Sequence, residues 1–232
     1  MTRAFVVSGS PRMGKGNTAM VLGPFLEGMH EAGAETELVY ASQLKLKPCS
    51  CGRMYCWYGK PGECCIKDDM QPLYPKLRQA DILVFATPVY VPLPGAMQVF
   101  VNRLCPLLLP RLEFHDGRTR GRMRDGVRIR RFALVATGGW WEKENMGTVV
   151  RIVEELAADA GIEFAGAALR PHAYLMKEKE QLTGDGKAVQ EAARKAGREL
   201  VELGRMQKDT LEAISRPLIS EEELRRAYNQ ML

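Results

Sequence analysis

Residues 8 to 18 read SGSPRMGKGNT. From Gly9 to Lys15 they keep the spacing of a nucleotide-triphosphate loop, but Gly16 stands where such a loop places the Ser or Thr that holds magnesium. A carboxylate should also follow a later strand, and the strands expected to end at Ala86-Thr87-Pro88 and Thr137-Gly138-Gly139 supply none. A dinucleotide fingerprint laid on Gly14 to Ala19 starts too far from its strand. The second strand, ending Val39-Tyr40-Ala41, also lacks the acid that fingerprint needs. What remains is Ser8, Ser10, Pro11, Arg12, Gly16, Asn17 and Thr18: hydroxyls, an amide and a guanidinium just before a helix start. That chemistry suits a phosphate monoester held without a metal, with backbone N–H groups completing the cradle.

Thiols form the second candidate group. Five of the six cysteines fall between Cys49 and Cys65. The apolar run in MTRAFVVSGS is too short for a secretion signal and no small-residue cleavage site follows it, so a cytoplasmic protein is expected. There, crowded cysteines indicate reduced thiols, a metal or a cluster, not a disulfide framework. Paired CxxC zinc knuckles are missing. Cys105 stands apart in an apolar stretch and reads as core packing.

These residues need a scaffold. Short β-branched and aromatic runs at 3–7, 36–40, 82–86, 132–136 and 162–168 predict five strands, and helical periodicity predicts helices over 18–32, 69–79, 95–109, 145–160 and about 187–206. Strands alternating with helices make a doubly wound three-layer α/β fold on a five-stranded parallel sheet. The expected domain spans residues 1–210, with a Cys-rich loop at 48–68 and an Arg-rich loop at 111–131, and residues 211–232 form a helical extension. Within it, SEEELRRAYNQML begins with a capping signature and sets Leu224, Ala227, Tyr228 and Met231 on one face.

Bulk properties narrow the class. The chain has 232 residues, 46% of them apolar, and a net charge of +5. Much of the basic excess sits in GRTRGRMRDGVRIRR (117–131), which has little aromatic interleaving and reads as a solvated loop, so no nucleic-acid partner is expected. The uncharged run 82–101 is long enough to span a bilayer, but Pro88, Pro92 and Pro94 break it into strand, loop and helix start, so no membrane span is expected.

A phosphate monoester at the first βα turn of such a sheet is how flavodoxin-like folds hold FMN, with the ring at the carboxyl ends of neighbouring strands. The loops expected there are Thr87 to Pro94, apolar and stiff with Pro88, Val89, Tyr90 and Val91, and Thr137-Gly138-Gly139-Trp140-Trp141. Glycines admit a close backbone approach, and flat side chains can cover the ring.

With SGSPRMGKGNT (8–18), PCSCGRMYCWYGKPGECCIKDDM (48–70), ATPVYVPLPGAMQVFVNR (86–103) and TGGWWEKEN (137–145), the chain resembles the flavodoxin-like NAD(P)H-dependent FMN reductases and, among them, the iron-sulfur flavoproteins. The resemblance covers about residues 3 to 205. It implies that Ser8, Ser10, Arg12, Gly16, Asn17 and Thr18 hold the FMN phosphate, that Pro88 to Tyr90 line the ring, and that Gly138-Gly139 approach its other edge. It also implies a homodimer or homotetramer. Relatives space their cysteines as Cys-x2-Cys-x2-Cys and a later Cys around a [4Fe–4S] cluster. Here the spacing is Cys49-x-Cys51-x4-Cys56-x7-Cys64, followed by Cys65. Cys49, Cys51, Cys56 and Cys64 could supply four thiolates; zinc and free redox-active thiols are the other readings.

The expected activity is an FMN-dependent oxidoreductase taking electrons from NAD(P)H to a quinone, another small acceptor, a redox partner protein or an iron-sulfur centre. The alternative is an electron carrier without its own nicotinamide site. Flavin chemistry needs no catalytic acid or base, so His115 and His172 are assigned to loops and His30 to the surface. Arg118 to Arg131 are expected near the flavin mouth, where they could attract nicotinamide phosphates.

Overall fold

The computed structural model describes residues 1–115 and 117–230. Met231 and Leu232, expected at the end of the last helix, lie outside the described residues, as does Asp116 of the Arg-rich segment.

Strands β1 (Arg3–Ser8), β2 (Glu35–Tyr40), β3 (Ile82–Pro88), β6 (Arg131–Thr137) and β7 (Glu163–Arg170) form one sheet in the order β2-β1-β3-β6-β7. All its pairings are parallel. The three central strands read as unbroken apolar runs because both of their faces are covered. Alternate residues divide between two cores. Phe5, Val7, Leu83, Phe85, Phe132 and Leu134 face helices α3 (Leu73–Gln79), α4 (Gly95–Asn102) and α5 (Gly147–Ala160). Ala4, Val6, Val84, Ala133 and Val135 face α1 (Asn17–Glu31) and α6 (Gly184–Glu202). Phe85 meets Phe132 edge-on at 4.5 Å in the first core. In the second, α1 and α6 approach so closely that a Cβ on Gly28 would stand 1.8 Å from Arg194 O, and one on Gly197 would stand 1.9 Å from Phe25 O.

Two segments differ from expectation. The helix predicted over 95–109 stops at Asn102; a single turn at Cys105–Leu107 follows, with Pro106 in it, and the chain then enters a strand. The expected Arg-rich loop is an antiparallel hairpin of β4 (Leu108–His115) and β5 (Arg118–Met123). Arg118 and Arg120 reach Glu155, and Arg120 also reaches Asp159, both on α5. The C-terminal end of α5, which Gly161 terminates at φ 65°, leads into the start of β7. Together with Arg128 on Asp81 and Arg131 on Glu163, the arginines therefore lie at the amino edge of the sheet, opposite the edge where a flavin mouth was expected.

The cysteine segment carries the one-turn helix α2 (Tyr55–Tyr58), and strands β8 (Lys177–Glu178) and β9 (Gln181–Leu182) pair ahead of α6. After α6 come α7 (Lys208–Ser215) and α8 (Glu221–Asn229). Residue 210, the expected domain boundary, falls inside α7, whose Ile214 is buried in the second core. Ser220 starts α8 with a reciprocal capping box to Glu223. Among the described residues no helix is long and apolar enough to cross a membrane.

Candidate active site

The carboxyl ends of β1, β3 and β6 stand in register, with Ser8 beside Ala86 and Pro88 beside Thr137. Strand order reverses around β1 and β3, which opens a crevice at that edge. The chain leaves β1 through Gly9, whose N–H donates to Ala86 O at 2.7 Å. A Cβ on Gly9 would stand 2.9 Å from Met97 Cβ, so the turn passes directly over the start of α4 and only glycine fits. Met13 adopts a left-handed φ of 47°, and a short turn delivers the chain to Gly16, which precedes α1 without a side-chain cap. The first N–H groups of α1, those of Asn17 and Thr18 among them, have no acceptor within the helix.

Ser10, Pro11, Arg12, Gly16, Asn17, Thr18, Pro88, Val89, Tyr90, Thr137, Gly138 and Gly139 together line one cleft of about 230 Å³. Three separate loops thus converge, as expected from the sequence. Ser8 is instead the buried last residue of β1, Val91 points to solvent, and Trp140 sits beside the lining with 65% of its surface exposed. Trp141 turns away, its indole N–H donating to Ile219 O at 2.8 Å. Hydrogen bonds brace the floor: Thr18 and Thr137 hydroxyls meet at 2.8 Å, and Val89 N–H donates to Thr137 O at 2.8 Å.

The donor set fits a phosphate monoester. It comprises the hydroxyls of Ser10 and Thr18, the amide of Asn17, the guanidinium of Arg12 and the open end of α1, with no carboxylate in the lining. A Cβ on Gly16 would fall 2.6 Å from Ser10 Oγ, so the glycine keeps the cradle open. The volume lies below the roughly 300–1,000 Å³ of sites that enclose a whole drug-sized ligand. A flat ring attached to the phosphate would accordingly extend over the mouth, beside Tyr90 and Gly138-Gly139. A crevice of similar size at Arg3, Glu35, Glu37 and Lys76 is lined by charges already paired with one another.

Behind the Gly-Gly loop sits a cluster that the sequence did not reveal. Gly138 N–H donates to Arg170 O, Ala173 N–H to Gly138 O, and His172 N–H to Trp140 O. Arg170 and His172 are both fully buried. His172 is therefore a buried support of the loop, whereas His115 lies in β4 and His30 on the surface, near Thr36.

The cysteines are distributed differently from the expected ligand set. Cys51 and Cys65 sulfurs lie 2.6 Å apart, and this contact, with burial, pushes the Cys51 thiol up to about 12. Cys64 is buried, its Sγ accepting from Arg103 Nη2 at 3.3 Å. Cys56 is buried too, and desolvation together with nearby Cys105 pushes its thiol up to about 11. Cys105, read from the sequence as core packing, thus joins the thiol neighbourhood from outside the loop. Among the described residues no three Cys, His, Asp or Glu side chains converge to hold a metal ion. As arranged, Cys49, Cys51, Cys56 and Cys64 do not present the four convergent thiolates of a cubane cluster. The segment is anchored instead by Arg103 and Asp68, which pair at 2.6 Å with side chains 1% and 3% exposed.

The fold is that of a flavodoxin-like α/β protein, with a carboxylate-free cleft at the strand-order reversal. Residues 2–141 match the family model for NADPH-dependent FMN reductase, and the chain belongs to that family of oxidoreductases. A curated relative, the iron-sulfur flavoprotein of Methanosarcina thermophila, is 40% identical over 86 residues, 37% of this chain and 42% of the relative. The chain spans about two-fifths of the length of the curated relatives it matches. Among solved structures, an NAD(P)H:quinone oxidoreductase from Methanothermobacter marburgensis superposes with a TM-score of 0.59 at 18% identity, covering 86% of this chain and 96% of that one. An FMN-dependent NADH-azoreductase from Bacillus anthracis, in complex with FMN, gives 0.56 at 13% identity, covering 88% and 99%. These two likenesses establish the fold.

Proposed function

We propose that the chain binds FMN in the cleft and moves electrons from NAD(P)H to a small-molecule acceptor. The observation that carries this reading is the convergence of three loops, from β1, β3 and β6, on one carboxylate-free cleft at the strand-order reversal. Bound FMN would supply the two-electron chemistry. The residues' part is to hold it. Arg12, Ser10, Asn17, Thr18 and the start of α1 bind the phosphate; Pro88 to Tyr90 fix one side of the ring. Gly138 and Gly139, braced from behind by Arg170 and His172, let backbone approach the other side. A cytoplasmic homodimer or homotetramer, without nucleic-acid or membrane partners, completes the reading.

Two measurements test it. Titration of the purified protein with FMN, followed by flavin fluorescence quenching, is expected to saturate at one FMN per chain. Stopped-flow mixing of the loaded, oxidised protein with NADPH or NADH is expected to bleach the flavin band rapidly. Saturable binding without bleaching would make the chain an electron carrier lacking a nicotinamide site, and no binding would end the reading.

A further inference from the structure

We propose that the C-terminal segment forms the outer wall of the cleft mouth, where Tyr228 selects flat aromatic acceptors; this rests on the FMN reading above. Four contacts seat the segment against the Gly-Gly loop. Arg170 Nη1 donates to Ile214 O at 2.7 Å and to Arg216 O at 2.8 Å. His172 Nε2 accepts from Leu218 N–H at 3.1 Å, and Trp141 reaches Ile219 O one residue before the Ser220 cap. The start of α8 is therefore fixed to the residues that carry Gly138 and Gly139.

From that start α8 lays buried Leu224 inward and brings Tyr228 to the mouth. Tyr228 Oη stands 3.2 Å from where a Cβ on Gly139 would be, and Gly139 lines the cleft. Tyr174 supports the ring edge-on at 6.2 Å and 76°. Around the same opening Tyr90, Val91, Trp140 and Tyr228 all keep substantial apolar surface exposed. Such a concentration of apolar surface beside a cleft marks a binding site. Aromatic side chains gathered at one cleft mouth, Tyr90 in its lining and Tyr228 against Gly139, match a planar conjugated ligand such as a two-ring quinone.

The test is calorimetric titration of 1,4-naphthoquinone into oxidised, FMN-loaded protein with no electron donor, so that binding is read without turnover. Tyr228→Ala is expected to weaken naphthoquinone binding roughly 3- to 10-fold at unchanged FMN content, and Tyr228→Phe to restore it. Trp140→Ala, outside the tail, is expected to give a similar loss even if Tyr228→Ala unseats α8. Unchanged affinity in both alanine variants overturns the proposal, as does a shift of oligomeric state in either variant, which would make the patch a contact between copies. Wild-type protein that takes up no FMN overturns the underlying reading and this proposal with it, whereas full FMN uptake with unchanged naphthoquinone affinity overturns this proposal alone.

Discussion

Arg170 Nη2 donates to His172 Nε2 at 3.0 Å. The same nitrogen accepts Leu218 N–H, so two donors point at it and the neutral ring carries its proton on Nδ1. Burial, reinforced by the Arg170 charge, pushes His172 down to about 4 from its ordinary 6.5.

The consequence is a pH-dependent stability. Above about pH 6.5 the ring is neutral in both folded and unfolded chains, and the native contacts are kept in full. As pH falls from 6.5 toward 4 only the unfolded chain gains the proton, which costs the fold roughly 3 kcal/mol across that window. Urea midpoints measured between pH 7 and pH 4.5 should fall for the wild type and fall less for His172→Gln. Parallel losses in the two proteins would discard the assignment.

Gly16 is expected to control cofactor retention. Gly16→Ala places a methyl 2.6 Å from Ser10 Oγ, inside the phosphate cradle. FMN affinity should drop by at least about tenfold, the equivalent of one good charged hydrogen bond, while the thermal midpoint of the cofactor-free protein stays close to wild type. An unaffected FMN titration would remove the phosphate from this loop.

The Arg103–Asp68 pair anchors the cysteine segment. Burial alone would raise the Asp68 carboxyl, but Arg103 and the N–H groups of Lys47 and Met70 hold it below its ordinary value. Asp68→Ala leaves a buried guanidinium without its carboxylate and should destabilise the fold by roughly 3–5 kcal/mol. The double variant with Arg103→Met should recover much of that loss. A single variant as stable as wild type in chemical denaturation would show that the pair is not the anchor.

Thiol chemistry gives a separate check. With Cys51 pushed up to about 12 and Cys56 to about 11, both stay protonated and slow to alkylate at pH 8. Exposed Cys49 should be labelled by iodoacetamide ahead of them in a mass-spectrometric time course. Protein purified without oxygen should contain FMN without four irons per chain. Stoichiometric iron and acid-labile sulfide would mean that the thiols rearrange around a cluster.

Much of this architecture could be read along the chain. Phe5 to Val7, Leu83 to Phe85 and Phe132 to Val135 announce buried parallel strands because neither of their faces tolerates a polar residue. The loops that follow those strands must share one edge, which is why twelve lining residues could be named without coordinates. Residues joined only by tertiary packing were invisible: Tyr228 beside Gly139, Cys105 beside Cys56, and Arg170 and His172 against the segment from Ile214 to Leu218. One signal was present but unread. Arg118, Arg120 and Arg122 alternate with Thr119, Gly121 and Met123, the period of a strand, and this was masked because Arg-rich runs usually denote solvated loops. Proline limited the fourth helix, since Pro106 cannot donate the bond that would continue it past Asn102.

The interlocked glycines Gly28 and Gly197 have a bearing on how the protein is made. The helix that opens at the phosphate loop has its seat on a helix spanning residues 184–202, so during synthesis the first βα unit leaves the ribosome long before its support exists. Cofactor capture would therefore wait until residues 184–202 have been made, well after the residues that would grip the phosphate.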